Sequence, residues 1–222
     1  MVNLLKSRKV PAFFNNPSSI IANEYEKIRI NLEFSSFETK SRVLIITSPG
    51  FGEGKSTTVA NLAVSLAQEG KNVLLIDTDV KDPTIHKMFK MKNAIGLTNF
   101  LSGQKKMEEI VNRTEIARLK LITSGPVPHD SEKIFKSRLM ETLITEGLKQ
   151  YDYVLFDSPP VLEGDEAKVV ASRCEGVILV IRNGKTEDTL ALEAKKSLET
   201  SNAKLLGVIL NGKPRGFFKK NK

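Results

Sequence analysis

The chain has 222 residues, 40% apolar and 27% charged, and a formal net charge of +8. That length suits one α/β domain with extensions, and it is enough to bury a core without covalent staples. One cysteine, Cys174, excludes a disulfide framework and a multi-cysteine metal site within the chain, and reads as a small buried apolar residue. Apolar runs of about six residues exclude a membrane-spanning helix, which needs roughly 20.

Residues 1–20 hold prolines, asparagines and a Phe pair, and read as an extended arm. The basic start lacks a signal-peptide apolar core, so a cytoplasmic location is expected. A first helix is predicted over about 21–36. Six apolar runs then read as strands: 42–48, 72–77, 119–124, 153–157, 176–181 and 204–210. They are near-continuous rather than alternating, as expected where helices cover both faces of a sheet. Helical patterns lie between them at 55–69, 131–149 and 186–201. In the first of these, Val59, Leu62, Ala63, Leu66 and Ala67 share one face. Strand–helix alternation predicts an α/β fold: a doubly wound, mostly parallel sheet with helices on both faces. The expected organisation is an arm (1–20), one domain (21–213) and a basic tail (214–222).

Charge is uneven. Residues 1–42 carry +3, residues 203–222 carry +6, and the 160 between them sum to −1. Basic ends suit an acidic membrane surface, nucleic acid or an acidic protein tail. No helix-turn-helix, RNA-binding signature or interleaving of aromatic and basic residues is present, so nucleic acid is not the expected partner.

The stretch SPGFGEGKSTTVANLA (48–63) follows a predicted strand and opens a predicted helix, the context a P-loop requires. Its backbone N–H groups would wrap a triphosphate, with the helix N-terminus adding partial positive charge. Gly50, Gly52 and Gly54 admit close approach, with Glu53 between the last two. Lys55 would reach the β- and γ-phosphates, Ser56 would place its hydroxyl on Mg²⁺, and Thr57 would bond the α-phosphate. The usual first glycine is replaced by Pro49. Two further strand ends carry acid: VLLIDTD ends in Asp77 and Asp79, and YVLFD ends in Asp157. Ligands of doubly wound sheets sit at the carboxyl ends of strands. Three carboxylates beside a P-loop fit Mg·ATP, because Mg²⁺ takes oxygen ligands from carboxylates and phosphates together. Phosphoryl transfer needs little besides positioning, charge neutralisation and an orienting base. His86 and His129 lack partners at ligand spacing and read as surface or locally bonded groups.

Residues 48–86, 121–128, 151–161 and 204–213 resemble the bacterial tyrosine kinases of capsule and exopolysaccharide synthesis, over about residues 20–213. The resemblance implies a P-loop ATPase fold related to partition and septum-placement ATPases, and tyrosine phosphorylation with ATP and Mg²⁺. It implies that Lys55, Ser56 and Thr57 bind phosphate and metal, that Asp79 and Asp157 hold Mg²⁺, that Asp77 accepts the tyrosine proton, and that Asn211 meets the purine. It also implies protein-tyrosine substrates, self-association, and activation at the inner face of the membrane by the cytoplasmic tail of a transmembrane adaptor, a polysaccharide chain-length regulator. Three features depart from the family pattern. The tyrosines are Tyr25, Tyr151 and Tyr153, and the tail KPRGFFKKNK has none, so tail autophosphorylation is not expected. The ring-building Glu-x-x-Arg-x-x-Arg motif aligns with Asn23, Glu26 and Arg29. The arginine after the Asp-x-Asp box is Lys81, which keeps the charge without the planar fork. The alternative reading is a switch ATPase without kinase activity. Partition-type ATPases, however, carry a signature lysine where this chain has Gly50.

Overall fold

The computed structural model describes residues 19–39 and 41–212. Both the arm and the tail expected from sequence lie essentially outside these residues. Helix α1 (Ile20–Thr39) precedes strand β1 (Val43–Thr47), helix α2 (Lys55–Gln68) and strand β2 (Val73–Asp77). Three short helices follow, α3 (Ile85–Met88), α4 (Leu97–Leu101) and α5 (Met107–Ile110), then strands β3 (Asn112–Arg113) and β4 (Leu119–Ile122). The chain continues through α6 (Ser131–Phe135), α7 (Arg138–Gln150), β5 (Tyr153–Asp157), α8 (Glu166–Ala171), β6 (Gly176–Arg182), α9 (Asp188–Thr200) and β7 (Leu205–Asn211).

The strands form one sheet in the order β3-β4-β2-β5-β1-β6-β7. All the pairings are parallel except β3 with β4, which is antiparallel. Alternate side chains leave opposite faces of a strand. Val43 and Ile45 of β1 therefore join a core with α4, α7, α8 and α9, while Leu44 and Ile46 join a second core with α1 and α2. Both faces are covered, which explains strands without polar alternation. The doubly wound α/β architecture read from the sequence is the one observed.

One predicted helix is broken. Residues 131–149 split at Lys136–Ser137, where Ser137 turns to extended backbone (φ −64, ψ 154). Phe135 is fully buried just before the break, so the chain must turn there. Arg173 bridges the break: its Nη1 donates to Ser137 O (2.9 Å), which also accepts from Met140 N (3.2 Å), and its Nη2 donates to Lys136 O (2.8 Å). Cys174 packs against the α7–α9 core, and its thiol donates to Val170 O at 3.3 Å. Arg29 of α1 is 7% exposed and pairs within the chain with Glu33 (2.7 Å) and Glu69 (3.4 Å). The surviving residue of the ring motif is thus engaged internally.

Candidate functional site

The carboxyl ends of β1, β5 and β2, adjacent in the sheet, bring the sequence-selected residues together. The glycine-rich loop leaves β1 and feeds α2. Gly54 caps that helix in a left-handed conformation (φ 99, ψ 18). A side chain at Gly54 would start 2.1 Å from Asn211 Nδ2, so the position needs glycine for conformation and for space alike. Glu53 is 3% exposed and folds inward. Its carboxylate accepts from Gly50 N (3.2 Å) and from the Thr186 hydroxyl (2.6 Å).

Lys55 opens α2, and its Nζ lies 3.1 Å from Asp79 Oδ2. Both are nearly buried, at 9% and 2% exposure. Burial pushes the Lys55 ammonium down, but Asp157, Asp79 and Asp77 together outweigh it and hold the pKa above the ordinary lysine value. Asp79 Oδ1 accepts from Asp82 N at 3.1 Å. Asp77 accepts amides from Asp79 (3.1 Å), Thr84 (3.3 Å) and Ile85 (3.2 Å). Its carboxyl is nevertheless raised well above the aspartate range, by burial first and by the charge of Asp157 next. Burial pushes Asp157 up to about 7 against the pull of Lys55. Both oxygens of Asp157 are buried and make no close hydrogen bond, although the Ser56 hydroxyl is near enough to oppose the rise as Lys55 does. Ser56 is 8% exposed beside this acidic group, while Thr57 is exposed one residue on.

The geometry fits a metal-chelated phosphate. A side chain would fill the glycine cradle at Gly54, and the buried Asp157 oxygens offer acceptors that make no close hydrogen bond. Among the described residues no group of three His, Cys, Asp or Glu side chains is placed to hold a metal ion. Mg²⁺ suits such a place, because it takes only one or two carboxylates and completes its shell with water and phosphate oxygens.

Sequence reading missed the other wall of the loop. The turn between β6 and α9 holds it from the side: Arg182 Nη1 donates to Gly52 O (2.9 Å) and the Lys185 ammonium to Phe51 O. The Thr186 hydroxyl donates to Glu53 and accepts from Arg182 N at 2.8 Å. From β7, Asn211 Nδ2 donates to Glu53 O at 2.8 Å. Asn211, expected at the purine, is observed as a clamp on the loop. The signal for these residues is the adjacency of β6 to β1, which no local pattern encodes.

Comparison with known proteins agrees with this geometry. Residues 41–205 match the family model described as an AAA domain. The chain is 44% identical over 197 residues to the tyrosine-protein kinase YwqD of Bacillus subtilis (strain 168), covering 89% of this chain and 83% of that protein. The kinase domain of the Escherichia coli tyrosine kinase ETK superposes with a TM-score of 0.89 at 27% identity, covering 95% of this chain and 82% of that one. The septum site-determining protein MinD of Pyrococcus horikoshii OT3, solved with Mg-ADP, gives a TM-score of 0.65 at 27% identity, covering 76% and 69% of the two chains.

Proposed function

The chain belongs to the bacterial tyrosine-protein kinases, and from that premise we propose that it transfers the γ-phosphoryl group of ATP to tyrosine side chains of proteins governing capsule or exopolysaccharide synthesis. The observation that carries this reading is Asp157, wholly buried and without a close hydrogen bond beside the Lys55 ammonium at the mouth of the glycine loop.

The loop amides of residues 51–56, with the start of α2, bind the phosphates, Gly50 gives its amide to Glu53, and Thr57 lies at the α-phosphate. Lys55 draws charge from the β- and γ-phosphates, and its pairing with Asp79 fixes where its ammonium points. Ser56, Asp79 and Asp157 would hold Mg²⁺, which would supply charge neutralisation at the transferred group. Asp77, its pKa raised, takes the phenolic proton as the tyrosine oxygen bonds to phosphorus and the bond to the ADP oxygen breaks. Asn211, at the end of β7 beside the loop, meets the purine. Because β6 and β7 border the loop on one side, the acceptor enters from the other, over β2 and β4.

No helix among the described residues is long and apolar enough to cross a membrane. Attachment to the inner membrane face through the cytoplasmic tail of a transmembrane chain-length regulator is part of the proposal. Exposed apolar side chains on α9 (Leu190, Leu192) and β7 (Val208, Leu210) support a protein partner. Radiolabel from [γ-³²P]ATP should appear on protein tyrosine, be stimulated by that tail, and disappear in Lys55→Met. ATP hydrolysis with no phosphotyrosine in any condition would replace this reading with that of a switch ATPase.

A further inference from the structure

Three loops leaving adjacent strands meet at one carboxylate. Glu166, the first residue of α8, is 7% exposed. Its Oε1 lies 2.6 Å from Lys81 Nζ and accepts from the Ser131 hydroxyl at 2.8 Å. Lys81 follows β2, Ser131 opens α6 after β4, and Glu166 follows β5. The knot thus spans the β4-β2-β5 stretch of the sheet edge, away from the β6–β7 side that clamps the phosphate loop. Gly164 leaves room for it, since a side chain there would start 2.4 Å from Glu166 Oε2.

Lys81 differs from an ordinary surface lysine. Its side chain is 60% exposed, yet its ammonium is tied to a buried carboxylate that Ser131 holds from a second direction. A free lysine gives up about 2 kcal/mol of rotamer entropy when it grips a ligand, and an anchored one has already surrendered much of it. Lys81 is also chained to the chemistry: it stands between Asp79 and Asp82, and the Asp82 amide donates to Asp79 at 3.1 Å. One ammonium donor is spent on Glu166, and the side chain is otherwise open to solvent on the β2 side of the sheet edge.

Resting on the kinase reading, we propose that Lys81 is the specificity cation of the acceptor site: it binds an acidic side chain beside the target tyrosine, with Glu166 and Ser131 as positioning residues. The substrate class is a polypeptide carrying tyrosine next to Asp or Glu.

The test uses the full chain, Mg·ATP and two synthetic peptides, one with a glutamate-flanked tyrosine and one with glutamine in its place. Wild type should show a KM about tenfold lower for the acidic peptide, the scale of one favourable charge contact. Lys81→Met should phosphorylate both with the neutral peptide's KM, and Lys81→Arg should restore the preference. Glu166→Gln, which frees the ammonium, should raise the acidic peptide's KM while the KM for ATP stays put. An equal preference in Lys81→Met, or a shift in the ATP KM instead, overturns the assignment. Equal KM values in wild type overturn it while leaving the kinase reading intact. Failure of wild type to label either peptide, or any protein tyrosine, overturns both.

Discussion

Asp77 and Asp157 are register partners on the neighbouring parallel strands β2 and β5, and both side chains are fully buried. Two carboxylates on one rung of a sheet repel each other and lack water to share the charge. Burial raises both pKa values, Asp157 to about 7, with Lys55 opposing the rise at Asp157. A free aspartate titrates near 3.9, so the folded state binds these protons more tightly than the unfolded chain. Their contribution to stability is therefore fullest below about pH 4 and is lost as pH climbs through the folded value near 7. The nucleotide-free protein should show a melting temperature that falls between about pH 5 and pH 8. Asp157→Asn should flatten that slope and melt higher than wild type at the alkaline end. Scanning calorimetry across the range checks this, and an unchanged slope would refute it.

Lys55 is the cation that makes this acidic group tolerable. Removing one partner of a buried charge set costs about 3–5 kcal/mol, because the remaining charge is left uncompensated. Lys55→Met should therefore do two things. It should lower phosphotransfer by at least ~10²-fold, the scale for losing one charge stabiliser of a transition state. It should also steepen the loss of stability with rising pH, since Asp157 then loses the Lys55 charge that opposes its raised pKa. Radiolabel transfer measures the first effect and pH-resolved melting the second.

The strands were legible because burial on both faces makes them uniformly apolar: 153–157 is observed as Tyr153–Asp157 and 72–77 as Val73–Asp77. The phosphate loop was legible because its conformational needs are local, glycine by glycine. Of the short helices, only the start of α3 after Pro83 is legible in the sequence, and α4 and α5 are not. With four or five residues each, they are set by contacts such as the Asp77 carboxylate accepting from Ile85 N rather than by periodicity. The break at Lys136–Ser137 depends on Arg173, more than 30 positions downstream, and the Thr186–Glu53 bond joins residues 133 positions apart. Contacts that close only in three dimensions leave no trace in the pattern of neighbours.

Thr186 supports the loop without being placed at any phosphate. Its hydroxyl joins Glu53 to the β6 end at Arg182. Thr186→Val keeps the shape and removes the hydroxyl, leaving a nearly buried carboxylate one partner short, a loss of about 1–3 kcal/mol. Part of that loss should appear as loop disorder, with ATP affinity reduced about tenfold, equivalent to ~1.4 kcal/mol. Thr186→Ser should recover wild-type affinity. Isothermal titration with Mg·ATP decides it, and equal affinity in the valine variant would mean the loop holds its shape without this bond.

Gly54 and Asn211 make a stricter case, because two separate costs meet at one atom. Alanine at Gly54 must adopt φ near 99, which costs about 1–2 kcal/mol for a residue with a β-carbon. The new methyl would also sit 2.1 Å from Asn211 Nδ2 and push it off the Glu53 carbonyl. Gly54→Ala should thus abolish measurable ATP binding and lower the melting temperature. Asn211→Ala alone should be milder, removing one hydrogen bond worth about 1 kcal/mol. In the double variant the collision is gone and the backbone cost remains. Its stability should therefore exceed the additive expectation, with a coupling of at least ~0.5 kcal/mol for residues in contact. Strict additivity in the double-mutant cycle would show that backbone conformation alone fixes glycine at this position.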